Sequence, residues 1–388
     1  MPEHFHLIKT CNGARAGELR TAHGVVATPV FLPVGSQATV KTLTSEEVRR
    51  LGFDMLLCNT YHLYLRPGID VIRDMGGLHR FMAWDGAILT DSGGYQVFSL
   101  APLRRVSVDG VTFRSHIDGS ERFITPEMTI EYQEALGSDV MMVLDECSSH
   151  SDSKEKIGEA MERTHRWAER CHRAWKNQGG ALYGIVQGGT FPELRRRSAE
   201  TLAALDFPGY AIGGLSIGEP KEITLEMVSL TASLLPVDKP RYLMGVGAPE
   251  DIIEGVGRSI DIFDCALPTR VARNGALFTR QGRINIRKAS YARLDAPLDP
   301  GCDCYTCRTF SAAYVSHLFR SEELLALRLA TIHNLRFIGR LVNEARQAIL
   351  DESFPAFREG FLSGYRTTDE IARVDQKRRW LKERGTGQ

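Results

Sequence analysis

The chain has 388 residues, 43% hydrophobic and 25% charged, and its 48 basic side chains balance 48 acidic ones. That is the profile of a globular protein with a sizeable core, and a net charge of zero leaves no overall field to draw in a polyanion, so any nucleic-acid surface has to be local. The first residues carry no basic start followed by an apolar stretch, and no apolar run reaches the ~20 residues a membrane span needs, so a cytoplasmic location is expected.

In chain order, short β-rich apolar runs ending in Gly, Asp or Asn fall at 28–34, 54–58, 87–90, 140–144, 182–186, 210–213, 242–245 and 260–263. Residues 153–176 and 193–205 read as helices, and 100–124 reads as a β-hairpin excursion around Asp118-Gly119. About eight strands with helices between them predict a (β/α)8 TIM barrel, with an open doubly wound sheet as the competing arrangement. The barrel is favoured because Asp91, Asp145, Gln187, Gly214, Met244 and Asp264 all come at or just after a strand end. In a barrel those ends share the face on which active sites assemble.

Beyond the last strand lies a segment, 265–294, with no acidic residue but with Arg270, Arg273, Arg280, Arg283, Arg287, Lys288 and Arg293, a local basic surface fit for phosphate. The eight cysteines are scattered except for Cys302, Cys304 and Cys307, which argues for reduced thiols and one metal site over a disulfide scaffold. Three thiolates on one tight loop suit a tetrahedral ion, and the fourth ligand is His317 or His333. Such a set is closed, so the zinc is expected to be structural. A long helix follows, with Leu325, Leu329, Ile332, Leu335, Ile338 and Val342 at helical spacing, and His333 beside this inner stripe. The predicted division is one barrel domain over 1–388 carrying a zinc-binding subdomain at 288–345. At 373–384, Lys377, Arg378, Arg379 and Lys382 form a basic helix end that could also contact phosphate.

Thr90-Asp91-Ser92-Gly93-Gly94-Tyr95-Gln96 puts a carboxylate at a strand end, before a glycine turn and an aromatic ring. Asp145, Gln187 and the Gly213-Gly214-Leu215 backbone add the complement of a guanine. A carboxylate accepts from the ring N–H and the exocyclic amino group, while an amide and a backbone N–H donate to the carbonyl oxygen. Tyr95 and Met244 would sandwich the ring. Asp264, beside the basic segment, is placed to act on a nucleic acid, and paired carboxylates at one sugar are the equipment of retaining substitution.

These stretches, with Gly184-Ile185-Val186-Gln187-Gly188-Gly189, Gly213-Gly214-Leu215-Ser216-Ile217-Gly218-Glu219 and Phe263-Asp264-Cys265-Ala266-Leu267-Pro268-Thr269-Arg270, resemble the signatures of bacterial tRNA-guanine transglycosylases over essentially the whole chain. Cys302, Cys304, Cys307 and Thr331-Ile332-His333-Asn334 resemble that family's zinc set, which favours His333 over His317. The resemblance implies a barrel with a zinc subdomain, one structural Zn²⁺ per chain, and a homodimer. It implies Asp264 as the nucleophile that displaces guanine from the wobble nucleotide of tRNA, and Asp91 as the acid/base. Asp145, Gln187, Gly214 and Leu215 would read the base, Glu219 would help the Leu215 peptide change partners, and Arg270 and Arg273 would grip the flanking uridines. Cys147 and Ile217 stand where eukaryotic relatives have a different residue and a glycine respectively. A branched Ile217 should fill the space those relatives leave for a bulky cyclopentene, so 7-aminomethyl-7-deazaguanine is the expected incoming base. Two rival readings are a non-catalytic tRNA-binding subunit, against which both Asp91 and Asp264 are present, and a barrel hydrolase using a metal on His4 and His6.

Overall fold

The apolar runs fold as eight parallel strands: β1 (Val30–Leu32), β2 (Met55–Asn59), β3 (Ala87–Asp91), β4 (Val140–Met142), β5 (Ala181–Val186), β6 (Gly209–Ile212), β7 (Arg241–Leu243) and β8 (Ile262–Asp264). The structure is a computed structural model and describes residues 4–100, 104–176 and 179–366. From β2 to β8 each strand pairs with the next in sequence, and β8 pairs back onto β1. Between β1 and β2, Val34 bridges Leu57, with Leu57 N–H donating to Pro33 O at 3.1 Å and Gly35 N–H to Leu57 O at 2.7 Å. The sheet is therefore a closed barrel, and the open doubly wound alternative falls. Strands β2, β3 and β5 are buried at every residue, because one face looks into the barrel and the other is covered by helices. That double burial is why they read as continuous apolar runs without alternation.

The helices predicted at 153–176 and 193–205 are Lys154–Ala174 and Pro192–Ala203. The first starts where Ser153 caps the Lys156 N–H, and the second has proline at its first position, where a missing N–H costs nothing. The excursion between β3 and β4 is a three-stranded antiparallel sheet, Arg104–Val106, Val111–Arg114 and Glu121–Ile124, with Gly119 left-handed in its turn at φ 72°. In the long helix Leu324–Leu350, Leu329, Ile332, Leu335, Ile338 and Val342 are buried as expected. Leu325 is not: it sits in the first turn, 36% exposed, before the helix reaches its neighbours. The basic stretch at 373–384 lies outside the described residues.

One sheet went unread in the sequence. Phe5–Cys11, Ala14–Thr21 and Gly24–Thr28 form an antiparallel meander, so His6, expected ahead of any strand, is in one. This sheet covers the end of the barrel where the strands begin. His4 Nε2 meets the Tyr183 hydroxyl at 2.8 Å, and Arg15 Nε lies 3.2 Å from Asp261 Oδ1, both groups buried. With that end plugged, a ligand enters only at the other. The same contact removes the metallohydrolase reading, since His4 is bonded into the plug at the wrong end. Among the described residues no helix is long and apolar enough to cross a membrane.

Candidate active site

At the open end, three carboxylates sit on the ends of β3, β4 and β8 and feel one another. Asp91, the last residue of β3, is 8% exposed. It accepts from the Asn59 amide and from Thr60 N–H at 2.9 Å, while the Thr60 hydroxyl donates to its carbonyl at 2.6 Å. Burial raises its pKa to about 6. Its hydrogen bonds from Asn59, Thr60 and Gln96 pull the other way, and the nearby Asp264 charge adds to the rise.

Asp145, just past β4, is 5% exposed and accepts from Gln187 Nε2 at 2.7 Å and from Ser92 Oγ at 3.4 Å. Burial lifts it to about 6 as well, with Asp91 contributing. Gln187 is in turn packed on the Gly213-Gly214 backbone so closely that a side chain at either glycine would collide with its amide, and Gly214 is left-handed at φ 65°. Asp264 ends β8, half-buried, and takes two donors on the same oxygen, the Tyr242 hydroxyl at 2.6 Å and Gly245 N–H at 2.8 Å, both to Oδ1. Burial raises its pKa, and these donors counter the rise.

The remaining residues singled out from sequence follow the ends of the barrel strands on this same side. Tyr95 is half-exposed, and burial pushes its hydroxyl pKa up, with Cys147 and Cys265 adding to the rise and Arg270 opposing it. Met244 follows β7, half-buried against the core. Leu215 is 5% exposed. Glu219 holds the turn after it: its carboxylate accepts from Ser216 N–H, from Ile217 N–H at 3.0 Å, from Gly218 N–H at 3.1 Å and from the Thr224 hydroxyl at 2.6 Å. Burial works to raise Glu219, but these donors outweigh it and the net shift is downward. Cys147 and Ile217 are half-buried. Arg270 and Arg273 project from Leu267–Arg273, the helix that follows Asp264.

Cys302, Cys304, Cys307 and His333 converge, with Cys304 Sγ 3.6 Å and Cys307 Sγ 3.3 Å from His333 Nδ1. Those separations are close to the about 3.5 Å between sulfur and nitrogen ligands of one tetrahedral zinc. His333 Nε2 donates to Phe278 O at 2.7 Å, which leaves Nδ1 free to bind a metal. His317 lies exposed on the helix Ala312–Arg320, apart from the thiols. The four residues can hold a metal ion. A second histidine cluster, His23 and His79 on Asp139, differs: the imidazoles are stacked 3.5 Å apart at 15°, so no ion can lie in the plane of both rings.

Sequence reasoning missed Asn59, Thr60, Tyr242 and Arg195. Asn59 ends β2 just as Asp91 ends β3, so the strand-end rule could have found it. Tyr242 shares a strand face with Met244 by the two-residue period.

The profile of the family described as Queuine tRNA-ribosyltransferase matches residues 10–367. A queuine tRNA-ribosyltransferase of Dehalococcoides mccartyi is 61% identical over 383 residues, covering 98% of each chain. The enzyme of that name from Pelotomaculum thermopropionicum is 60% identical over 91% of this chain and 95% of its own. That from Moorella thermoacetica is 58% identical over 91% and 95% respectively. Near-complete coverage at this identity, on a barrel with its acids gathered at one end, shows that the chain belongs to the queuine tRNA-ribosyltransferase family, the tRNA-guanine transglycosylases.

Proposed function

We propose that the protein is a retaining pentosyltransferase that exchanges the wobble guanine of tRNAs with a G-U-N anticodon for 7-aminomethyl-7-deazaguanine, in queuosine biosynthesis in the cytoplasm. The observation that carries this reading is the pairing of Asp264, held by two donors on one oxygen, with a second carboxylate, Asp91, raised to about 6. Because both donors fall on Oδ1, Oδ2 of Asp264 is the attacking atom. It bonds to ribose C1′ as the bond from C1′ to guanine breaks, and the leaving base takes its electron pair and a proton from Asp91. The tRNA stays attached as an ester of Asp264. Asp91 then removes a proton from the incoming base, whose nitrogen displaces the carboxylate from C1′. Two inversions give retention and ping-pong kinetics. One glycosidic bond replaces another of similar strength, so the exchange calls for no energy-rich cofactor.

Asp145, Gln187, Gly214 and Leu215 read the base, with Tyr95 and Met244 on its faces and Arg270 and Arg273 on the flanking nucleotides. The choice of an aminomethyl base is supported by the Leu215-Ser216 peptide. Its N–H points at Glu219, so in a planar trans peptide the Leu215 carbonyl points the opposite way, toward the base side, as an acceptor for an ammonium group. Ser216 is left-handed at φ 58°, a strained conformation that the Glu219 hydrogen bonds hold in place. Cys147 and Ile217 bound the space beside it. Residues 288–345 form a subdomain on the single 1–388 barrel unit, and its four ligands hold one structural Zn²⁺. The closed donor set leaves the ion no part in the chemistry.

The test is incubation with tRNA bearing a wobble guanosine and labelled guanine. Label should enter the tRNA, and its failure to do so would sink the exchange reading. Asp264→Asn should form no denaturation-resistant tRNA adduct, and an adduct at wild-type level would move the nucleophile elsewhere.

A further inference from the structure

Arg195, on the helix Pro192–Ala203 behind the base-reading loops, is fully buried at 0% exposed. Its guanidinium spends its donors on main-chain carbonyls: Nε on Gly189 O at 2.8 Å, Nη1 on Val186 O at 3.0 Å and Gly213 O at 2.8 Å, and Nη2 on Gly214 O at 3.4 Å. A buried guanidinium is a costly way to tie loops together, since its charge has lost water and gains only neutral acceptors. Burial lowers its pKa to about 10, opposed by the more distant Glu219 and Cys147, and so it remains charged at neutral pH.

What the fork achieves follows from peptide geometry. In a trans peptide the C=O and the next N–H point in opposite directions. With the carbonyls of Gly213 and Gly214 both drawn to Arg195, the N–H groups of Gly214 and Leu215 both point away from it. Gly214 is left-handed between them, and two successive N–H groups in such a bend form a concave nest for an electron-rich oxygen. One turn further along the same helix, Ser198 Oγ accepts the Gln187 N–H at 3.1 Å, while Arg195 holds the Val186 carbonyl at the other end of that peptide. The Gln187 backbone is thereby clamped from both sides.

We propose that Arg195 is a positioning residue for base recognition: by capturing the Gly213 and Gly214 carbonyls it turns the Gly214 and Leu215 N–H groups into a donor pair for the carbonyl oxygen of a purine-like base. The assignment rests on reading this pocket as the guanine site. Arg195 itself touches no substrate. Its effect is confined to ligands that offer a strong acceptor at that position, and this separates positioning from general support of the fold.

The experiment compares binding of guanine and 6-thioguanine, measured by calorimetry, to the wild-type protein and to Arg195→Lys and Arg195→Gln. The two bases present the same N–H pattern, but sulfur is the weaker acceptor. Wild type should prefer guanine by roughly tenfold, the worth of about one good hydrogen bond. In the variants guanine binding should weaken by roughly tenfold, 6-thioguanine should lose far less, and the preference should collapse toward one. Equal weakening of both bases with the preference intact would overturn the proposal and leave Arg195 a purely structural residue. If wild type binds neither base, the pocket reading itself fails, a result distinct from the first. Should Arg195→Gln not fold, Arg195→Lys carries the same comparison, because it keeps the buried charge and loses the fork.

Discussion

The Asn59 amide and the Thr60 N–H both donate to the Asp91 carboxylate, and both favour its ionised form against the burial that favours the neutral one. Removing the first donor therefore raises the pKa of Asp91 further above about 6. In the proposed first half-reaction the acid form of Asp91 protonates the leaving guanine, so the rate of adduct formation should fall as pH rises through that pKa. Asn59→Ala should move this fall to higher pH, by roughly a unit for one charge-assisted hydrogen bond worth about 1.5 kcal/mol. Single-turnover adduct formation across pH measures it. An unmoved or lowered limb would mean that Asp91 is not the proton donor. Asp91, Asp145, Gln187 and Asp264 were legible in the sequence because each stands at the end of an apolar run, where a barrel concentrates its chemistry. Asn59 ends a strand as well and was open to the same rule, whereas Tyr242 carries only the two-residue period it shares with Met244, which does not tell that its hydroxyl meets a carboxylate on the neighbouring strand.

Among the elements, the helix Leu267–Arg273 depends on the metal cluster through one residue. Asn334, next to His333, is fully buried and donates to Pro268 O at 3.0 Å and to Ala276 O at 3.1 Å, while its own oxygen accepts Phe278 N–H at 3.0 Å. His333 reaches the same Phe278 from its other ring nitrogen. An ion held by the cluster would thus anchor the long helix; the long helix anchors Pro268 through Asn334, and Pro268 starts the turn that presents Arg270 and Arg273. Chelating the zinc should raise hydrogen exchange in 267–286 and weaken tRNA binding while guanine still binds in the barrel. Asn334→Ala should reproduce the loss of tRNA affinity with zinc retained, at a stability cost of about 1–3 kcal/mol for the unsatisfied groups. If tRNA and guanine affinity fell together, the coupling would run through the whole fold and not through this helix. The cysteine loop was readable from spacing alone. The family likeness already favoured His333 over His317, and the fold agrees by placing His317 on an exposed face, but the coupling through Asn334 has no sequence signature.

At the scale of the whole molecule, the eight strands and their closure followed from the runs and their order, because double burial makes a barrel strand apolar throughout. The N-terminal meander escaped notice because it lacks a strong apolar run: after a buried Phe5 the first strand is exposed or half-buried, and the buried start of Ala14–Thr21 is Ala-Arg-Ala-Gly. The homodimer implied by the family likeness is a proposal at this scale, and the zinc subdomain offers a face for it. Tyr305 is 55% and Tyr314 38% exposed, and Phe310 links them, edge-on to the first at 5.7 Å and stacked on the second at 5.1 Å. Three aromatic rings in contact on a surface are a costly exposure for an isolated chain and a source of affinity once a second copy covers them. A charge placed there should act against that covering without entering the core, since Tyr314 is on the outer side of its helix. Tyr314→Glu should shift sedimentation at micromolar concentration from dimer toward monomer with thermal stability of the fold largely kept. A dimer of unchanged affinity would put the interface on another face.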